Sequence, residues 1–322
     1  MRPMPSEFEI IRRHFSRAAP SAMVGVGDDC ALVRSKPGMT LAVTTDMLVE
    51  GTHFPAGSDA CRLGHKSLAV SLSDLAAMGA DPRWGLLSLA LPAADDNWLS
   101  AFSEGFYSLA ARYGVDLIGG DTTRGPLAIS VTLIGEVPVE LALRRDGALA
   151  GDDIWVSGST GEAALALAAL SGRIALAEPF ISQCLARLET PEPRVELGGR
   201  LRGLAHSAID VSDGLLADLG HILEMSGAGA EVSYELLPRA PAIASCDDAE
   251  LVRECLAGGG DDYELLFTAP PARRADVDAL SADLGLALTR IGSVVPGEAK
   301  TRLLDMQGNA LALARSGFDH FR

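Results

Sequence analysis

Hydrophobic and polar positions recur along the chain with two periods, which predict a mixture of helices and strands. In the first half, the residues Ser6–Glu9 form a capping box that should open a short helix. Longer helices are predicted over 63–78 and 95–112. Strands are predicted over 30–33, 41–45, 85–91, 115–118 and 128–137. The helix over 63–78 should end at Gly79, because glycine readily adopts the left-handed conformation that terminates helices.

The pattern restarts after residue 140. Pro138 and the polar residues 144–147 mark a domain boundary at that point. In the second half, strands are predicted over 154–156 and 264–268, and helices after 158–161, over 215–225 and over 272–284. The sequence therefore predicts the α+β class, with one domain over 1–139 and a second over 140–322.

Composition and charge exclude several classes of protein. The 322 residues are 48% hydrophobic and 22% charged, which is typical of globular domains and not of disordered chains. The net charge of −16 disfavours binding to nucleic acid and to anionic membranes. No apolar run is long enough to span a bilayer, and the first residues lack an export signal. Five cysteines without a Cys-x-x-Cys pair indicate reduced thiols, so we expect a cytoplasmic protein.

The candidate chemistry is a set of aspartates at the ends of predicted elements. They are Asp28, Asp29, Asp46, Asp74, Asp121, Asp210, Asp213, Asp261 and Asp262. A single aspartate beside a glycine is usually a turn residue. Asp74 differs because it interrupts an apolar helix, where an unpaired carboxylate would be costly. Asp121 follows Gly119-Gly120 after a buried strand, at a sheet edge of the kind where ligands bind.

Mutual repulsion predicts a cation beside these carboxylates. Two carboxylates about 5 Å apart repel by roughly 3 kcal/mol at an effective dielectric constant near 20. Oxygen ligands without histidine or cysteine favour Mg²⁺ or Mn²⁺, and the spacing of an EF-hand calcium loop is absent. Magnesium also bridges to phosphates, which predicts a phosphorylated substrate.

The phosphate-binding elements are of an unusual kind. The sequence has neither a P-loop nor the motifs of protein kinases. Glycine pairs at 25–27, 119–120 and 158–161 could offer backbone amides to phosphate, although a glycine pair alone is weak evidence. Arg124 and Arg145 are candidate phosphate clamps, but a lone arginine is more often a solvated surface residue.

Six strings of residues resemble the thiamine-monophosphate kinase family, in order and over nearly the whole chain. They are VGVGDDCA at 24–31, TTDMLVEGTHF at 44–54, SLSDLAAMGA at 71–80, GGDTTRGP at 119–126, DVSDGL at 210–215 and GGDDYELLF at 259–267. The resemblance implies the two-domain fold of the aminoimidazole-ribonucleotide synthetase superfamily. It implies that a mixed-sheet N-terminal domain binds ATP and forms a homodimer, and that a C-terminal α/β domain completes the active site.

The resemblance also implies roles for individual residues. The Mg²⁺ ligands would be Asp29, Thr44, Thr45, Asp46, Asp74, Asp121, Asp210 and Asp213. ATP would contact Gly120, Asp121, Arg145 and Ser212, and thiamine monophosphate would contact His53, Asp261 and Phe318. The implied reaction is direct in-line transfer of the γ-phosphoryl group of ATP to thiamine monophosphate, assisted by several Mg²⁺ ions and without a general acid or base. This is the last step of thiamine diphosphate synthesis.

Two positions depart from the family pattern, and other interpretations of the chain stay open. Asp261 stands where the family has glutamate, and Ser71 stands where relatives commonly have asparagine. On the residues alone, His53 could be a packed neutral histidine and Phe318 a core anchor. Other readings lie within the superfamily. Aminoimidazole-ribonucleotide synthetase has an Asp-Gly-Val-Gly-Thr-Lys string that is absent here, and selenophosphate synthetase needs a reactive N-terminal cysteine or selenocysteine, which does not precede Cys30. The hydrogenase maturation relative ends in a carrier cysteine, whereas this sequence ends in His-Phe-Arg. A nucleotide or metal sensor without turnover would use the same ligands.

Overall fold

The computed structural model describes residues 6–313 and 317–318. The chain forms two compact units. Unit 1 comprises the described residues up to Leu75 together with Ala80–Glu140. Unit 2 comprises Ala76–Gly79 and the described residues from Leu141 onward.

Unit 1 is built on a four-stranded mixed sheet. Its elements are α1 (Glu7–Ile10), β1 (Met39–Val49), α2 (Ala60–Ala77, whose last two residues belong to unit 2), β2 (Asp81–Leu91), α3 (Asp96–Tyr113), β3 (Asp116–Arg124) and β4 (Ala128–Pro138). The strand order is β1-β4-β2-β3. Strand β4 runs antiparallel to both β1 and β2, whereas β2 and β3 are parallel.

Helices α2 and α3 cross closely because each has a glycine at the crossing. A Cβ atom on Gly64 would lie 2.1 Å from the carbonyl oxygen of Phe102, and one on Gly105 would lie 1.8 Å from that of Cys61. Helix α2 lies against β4, where Ser71 Oγ donates to the carbonyl oxygen of Val131 at 3.3 Å. One face of the sheet is thus covered by helix.

The opposite face of β1 is exposed and apolar. Leu41, Val43 and Met47 are 44%, 64% and 59% exposed, and they share a face because side chains alternate along a strand. Strand β1 is also an edge of the sheet. These three residues form the β1 stripe.

Unit 2 contains a six-stranded mixed sheet with the strand order β10-β7-β9-β5-β8-β6. The strands are β5 (Asp153–Ser157), β6 (Ser207–Asp210), β7 (Gly229–Ser233), β8 (Leu265–Ala269), β9 (Leu288–Val295) and β10 (Thr301–Leu304). The helices are α4 (Glu162–Leu170), α5 (Phe180–Glu189), α6 (Val195–Leu201), α7 (Leu215–Ser226), α8 (Pro241–Ala244), α9 (Ala249–Gly258) and α10 (Arg274–Leu284). Only β10 and β7 pair in parallel.

The core of unit 2 has two buried clusters. The larger one gathers apolar residues of α4, α7 and α9 with the inner strands, and the smaller one includes Trp155 stacked on Phe267 with ring centroids 6.4 Å apart. Among the described residues, no helix has both the length and the hydropathy needed to cross a membrane.

Most of the predicted elements are confirmed, with one exception. The Ser6–Glu9 capping box is present, and Gly79 has the expected positive φ of 64°. The strand predicted over 30–33 is wrong, since this segment makes only a single bridge, between Val24 and Leu32. Its short apolar run lines a cavity instead of entering a sheet.

Candidate active site

Asp46 and Asp74 form a close pair of carboxylates in unit 1. Asp46 lies on β1 and accepts a hydrogen bond from Ser71 Oγ at 2.7 Å, and Asp74 lies on α2 and accepts one from Thr44 Oγ1. Burial, and then the charge of Asp74, raise the pKa of Asp46 to about 6, while Ser71 opposes the rise. Two adjacent carboxylates in a half-buried place make an environment that favours a cation.

The register of the sheet separates Asp46 from Asp121. Met47 pairs with Ser130, Ser130 with Ser88, and Ser88 with Asp121. Residues opposite one another in a sheet point to the same face, so Asp121 lies on the face of the β1 stripe. Asp46, one residue before Met47, points to the helix-covered face.

Thr44 and Thr45 are separated in the same way. Thr44 bonds to Asp74 on the helix side. Thr45 is exposed on the other face, where its Oγ1 accepts a hydrogen bond from Thr132 Oγ1 at 2.9 Å. Of the two threonine hydroxyls, that of Thr44 is the one brought to the carboxylate pair.

Asp29, Gly120 and Asp121 line one cavity of unit 1, with a volume of about 1170 Å³. Its lining includes the apolar residues Phe8, Ile11, Phe15, Leu86 and Ile134. Asp29 and Asp121 are both exposed, and the predicted glycine-rich segments border the cavity at 27–30 and 119–122. An apolar wall next to carboxylates suits a ligand with a flat base and a charged tail that is bound through a cation.

His53 follows β1 in a tight turn and is held in one tautomer. Its Nδ1 accepts the backbone N–H of Val49 at 3.0 Å, so the proton of the neutral ring lies on Nε2. His53 is half-buried beside the buried Phe54. This geometry is compatible with a contact between His53 and the substrate and with a packed neutral histidine.

In unit 2, five predicted site residues meet around one turn. The turn 210–214 joins the end of β6 to the start of α7 and carries Asp210, Ser212 and Asp213. The backbone N–H of Asp261 donates to the carbonyl oxygen of Ser212 at 2.8 Å, and that of Phe318 donates to the carbonyl oxygen of Asp213 at 2.9 Å. The structure thus places Asp261 and Phe318 next to the predicted metal and ATP residues of unit 2.

Phe318 is not a core anchor, because it is 55% exposed. Asp261 has a left-handed backbone with φ of 66°, and its Oδ1 accepts a hydrogen bond from Tyr263 Oη at 2.9 Å. A non-glycine residue in this conformation is strained and is often found at functional sites.

The neighbouring Glu264 is the centre of a buried network that the sequence did not reveal. Its side chain is fully buried and accepts hydrogen bonds from Arg187 Nη2 at 2.5 Å, Arg194 Nε at 2.7 Å and Ser157 Oγ at 2.5 Å. Asp262 is also buried, and both of its oxygens lie 2.9 Å from the backbone nitrogen of Gly161, which donates to them. Burial raises the pKa of Asp262 well above its usual range, although the Gly161 amide and Arg187 oppose the shift. These contacts fix both ends of the segment that carries Asp261.

Arg145 lies away from the turn 210–214. Its carbonyl oxygen accepts a hydrogen bond from Ser226 Oγ at 2.9 Å, at the far end of α7. A helix of 12 residues is about 18 Å long, so the backbone of Arg145 is far from Ser212 within unit 2. Arg145 and Arg124 are both exposed, and Arg124 ends β3 in unit 1.

Within residues 6–313 and 317–318, no group of three or more His, Cys, Asp or Glu side chains is arranged to hold a metal ion. In unit 1, the predicted ligands Asp46 and Asp121 do not come together. Part of the reason is the two-residue period of β1 and its neighbours, which sends Asp46 and Asp121 to opposite faces.

Comparison with known proteins first defines the class. Residues 27–137 match the family model of the AIR synthase related protein, N-terminal domain, and residues 150–305 match that of the C-terminal domain. Together with the two mixed sheets, these matches make the chain a two-domain protein of the AIR synthase related class.

Full-length relatives then define the family. The thiamine-monophosphate kinase of Salmonella typhimurium is 43% identical over 320 residues, which cover 98% of this chain and 98% of the relative. The crystal structure of thiamine-monophosphate kinase from Stenotrophomonas maltophilia K279a is 46% identical, covers 94% of this chain and 95% of that chain, and has a TM-score of 0.84. The structure of AaThiL complexed with AMPPCP and TMP is 32% identical, covers 92% of both chains, and has a TM-score of 0.77. This chain belongs to the thiamine-monophosphate kinase family.

Proposed function

We propose that this chain transfers the γ-phosphoryl group of ATP to thiamine monophosphate, giving ADP and thiamine diphosphate, the last step of thiamine diphosphate synthesis. The observation that carries the proposal is similarity over the full length to the Salmonella typhimurium enzyme, at 43% identity. It is supported by the AaThiL structure, which holds AMPPCP, an ATP analogue, together with TMP.

The oxygen-rich donor set fits Mg²⁺. Asp46 and Asp74 lie close enough for the charge of one to raise the pKa of the other, and Thr44 adds a hydroxyl oxygen beside them. Neither nitrogen nor sulfur ligands stand in this pair, which favours a hard ion. The proposed ligands are Asp29, Thr44, Thr45, Asp46, Asp74, Asp121, Asp210 and Asp213, and Thr45 would contribute its backbone oxygen because its hydroxyl faces away.

The reaction needs positioning and charge neutralisation more than proton transfer. A phosphate oxygen of thiamine monophosphate attacks the γ-phosphorus, the bond from that phosphorus to the β,γ-bridging oxygen breaks, and ADP leaves. The attacking phosphate has its second pKa near 6, so it is already largely deprotonated at neutral pH and no general base is required. Mg²⁺, when bound, would offset the repulsion between the two anions.

The residues of this chain would bind and orient the two substrates. In unit 1, the cavity beside Gly120 and Asp121 would take the nucleotide. In unit 2, Asp261 and Phe318 would orient thiamine monophosphate, with the aromatic ring of Phe318 stacking on the cationic thiazolium. We propose that residues 1–139 contribute most of the nucleotide binding and that residues 140–322 complete the site. The proposal includes contacts of Arg145 and Ser212 with ATP and of His53 with thiamine monophosphate.

We also propose a homodimer in the cytoplasm. The β1 stripe, formed by Leu41, Val43 and Met47, is an apolar surface on an edge strand, and such surfaces are usually covered in solution. All five cysteines are free thiols, which fits a reducing compartment. Sedimentation of wild type and of Val43→Asp, with exposed Val139→Asp as a control, tests the dimer. A wild-type monomer would contradict it.

Product analysis tests the proposed reaction. ATP, Mg²⁺ and thiamine monophosphate are incubated with the protein, and thiamine diphosphate and ADP are quantified by chromatography. We expect the two products in equal amounts, no turnover with excess chelator, and little ADP when thiamine monophosphate is omitted. ADP release without thiamine diphosphate would indicate a different acceptor, and nucleotide binding without turnover would indicate a sensor.

A further inference from the structure

Asp218 holds the turn 210–214 from its amide side. This aspartate lies in the first turn of α7 and is buried. One of its oxygens, Oδ2, accepts the backbone N–H groups of Ser212, Asp213 and Gly214 at 3.0, 3.1 and 3.1 Å. These three N–H groups belong to the cap residue Gly214 and to the two residues before it, and not to the first turn of α7. Asp218 therefore holds the turn from within the helix that follows it.

The carbonyl oxygens of the same turn accept hydrogen bonds from the two segments that are proposed to bind thiamine monophosphate. The Ser212 carbonyl oxygen receives the N–H of Asp261, and the Asp213 carbonyl oxygen receives the N–H of Phe318. A further bond links the N–H of Tyr263 to the carbonyl oxygen of Val211 at 2.8 Å. The amide side and the carbonyl side of one turn therefore connect Asp218 to both segments.

Close packing transmits the position of the turn to these segments. A Cβ atom on Gly260 would lie 2.4 Å from the carbonyl oxygen of Ser212, so this glycine touches the turn. A Cβ atom on Gly317 would lie 2.5 Å from the Cβ of Ala217. Because neither contact has room to spare, a displaced turn would displace Asp261 and Phe318 with it.

We propose that Asp218 is a positioning residue for the phosphate-acceptor side of the site. It fixes the turn 210–214, and through this turn it sets the places of Asp261 and Phe318. This inference rests on the proposed function, in which these two residues contact thiamine monophosphate. Asp218 itself is not proposed to contact a substrate.

The test compares Asp218→Ala with Asp218→Asn and with a control at another helix start. In unit 1, the exposed Asp95 accepts the N–H groups of Asn97 and Trp98 at the start of α3, and Asp95→Ala removes an aspartate acceptor at a helix start away from the proposed site. We expect Asp218→Ala to raise KM for thiamine monophosphate at least about tenfold, because near-attack geometry is sensitive to shifts of about 1 Å. Asp218→Asn keeps an acceptor oxygen and should stay within about threefold of wild type, whereas Asp95→Ala should lower only the Tm.

Hydrogen exchange supplies a second measurement that does not depend on turnover. Amides of 212–214, 261 and 318 should exchange faster in Asp218→Ala, with intermediate rates in Asp218→Asn, because a neutral acceptor is the weaker one. If Asp218→Ala does not fold, faster exchange at 212–214 in Asp218→Asn supports the inference, and wild-type exchange there overturns it. A folded Asp218→Ala with a lowered Tm and wild-type KM also overturns it. Failure of the wild type to use thiamine monophosphate would instead refute the proposed function and leave the exchange result standing.

Discussion

Replacing Glu264 by glutamine should strongly destabilise unit 2, because Glu264 is the fully buried ion-pair partner of two arginines. The side chain of Glu264 is 0% exposed, and those of Arg187 and Arg194 are only 22% and 16% exposed. Removing one partner of a buried ion pair costs about 3–5 kcal/mol, since it leaves an uncompensated buried charge. Glutamine keeps the size and one acceptor oxygen, so we expect about 3 kcal/mol, the lower end of that range. For a domain of this length, about 3 kcal/mol corresponds to a fall in Tm of roughly 6–12 °C.

A matched control separates this effect from the loss of any buried carboxylate. Asp153 is buried and accepts hydrogen bonds from Arg274 Nε at 2.6 Å and Arg290 Nη1 at 3.2 Å, but these arginine side chains are 49% and 44% exposed. Water can solvate them when Asp153 is neutralised, so Asp153→Asn should cost only about 1 kcal/mol. Both variants are followed by circular dichroism during heating. If Glu264→Gln lowers the Tm no more than Asp153→Asn does, the reasoning about buried arginines is refuted.

Three further predictions address the site directly. Asp121→Asn should lower kcat at least roughly tenfold without lowering the Tm, because it weakens a proposed ligand of the cation that would offset the negative charge of the transferring phosphate; a wild-type kcat in steady-state kinetics would contradict the placement. Phe318→Ala should raise KM for thiamine monophosphate about five- to thirtyfold and leave KM for ATP and the Tm nearly unchanged, as expected for an exposed ring that contacts a cation. Iodoacetamide at pH 8 should modify the exposed Cys30, which lines the unit 1 cavity, and an ATP analogue should slow this reaction. Cys255 should stay unmodified until the protein unfolds, because burial raises the pKa of its thiol to about 12 and keeps it protonated; mass spectrometry of the labelled peptides checks both cysteines.

Local signals in the sequence predicted most of the helices and marked the aspartates as candidate site residues. The capping box at Ser6–Glu9 and the terminating Gly79 depend on contacts within a few residues, so the sequence alone reveals them. The resemblance implied separate roles for Asp213, Asp261 and Phe318, and the structure adds the backbone hydrogen bonds that bring their segments together. Such bonds join residues far apart in sequence and carry no local pattern.

Local sequence patterns could not predict the face of the sheet to which each strand residue points, nor the buried network around Glu264. Thr44, Thr45 and Asp46 are adjacent in sequence, and only the register of β1 against its neighbours decides which of them face the cavity side. Arg187 and Arg194 look like ordinary surface arginines in the sequence, because their partner Glu264 lies about 70 positions later. The strand predicted over 30–33 failed for a related reason, since a short apolar run can line a cavity as readily as it can enter a sheet.

The glycines beside the site aspartates have a physical reason that goes beyond turns. Gly120, with φ of 147°, precedes Asp121, and a Cβ atom there would lie 1.8 Å from the carbonyl oxygen of Leu87 on the neighbouring strand. Gly214, with φ of 136°, follows Asp213, and a Cβ atom there would lie 2.7 Å from the carbonyl oxygen of Gly258. In both places the backbone is fixed by close approach to another backbone segment, a contact that any side chain would prevent. Both carboxylates thus follow or precede a glycine whose backbone position is set by close approach to another segment, so the main chain fixes where they lie.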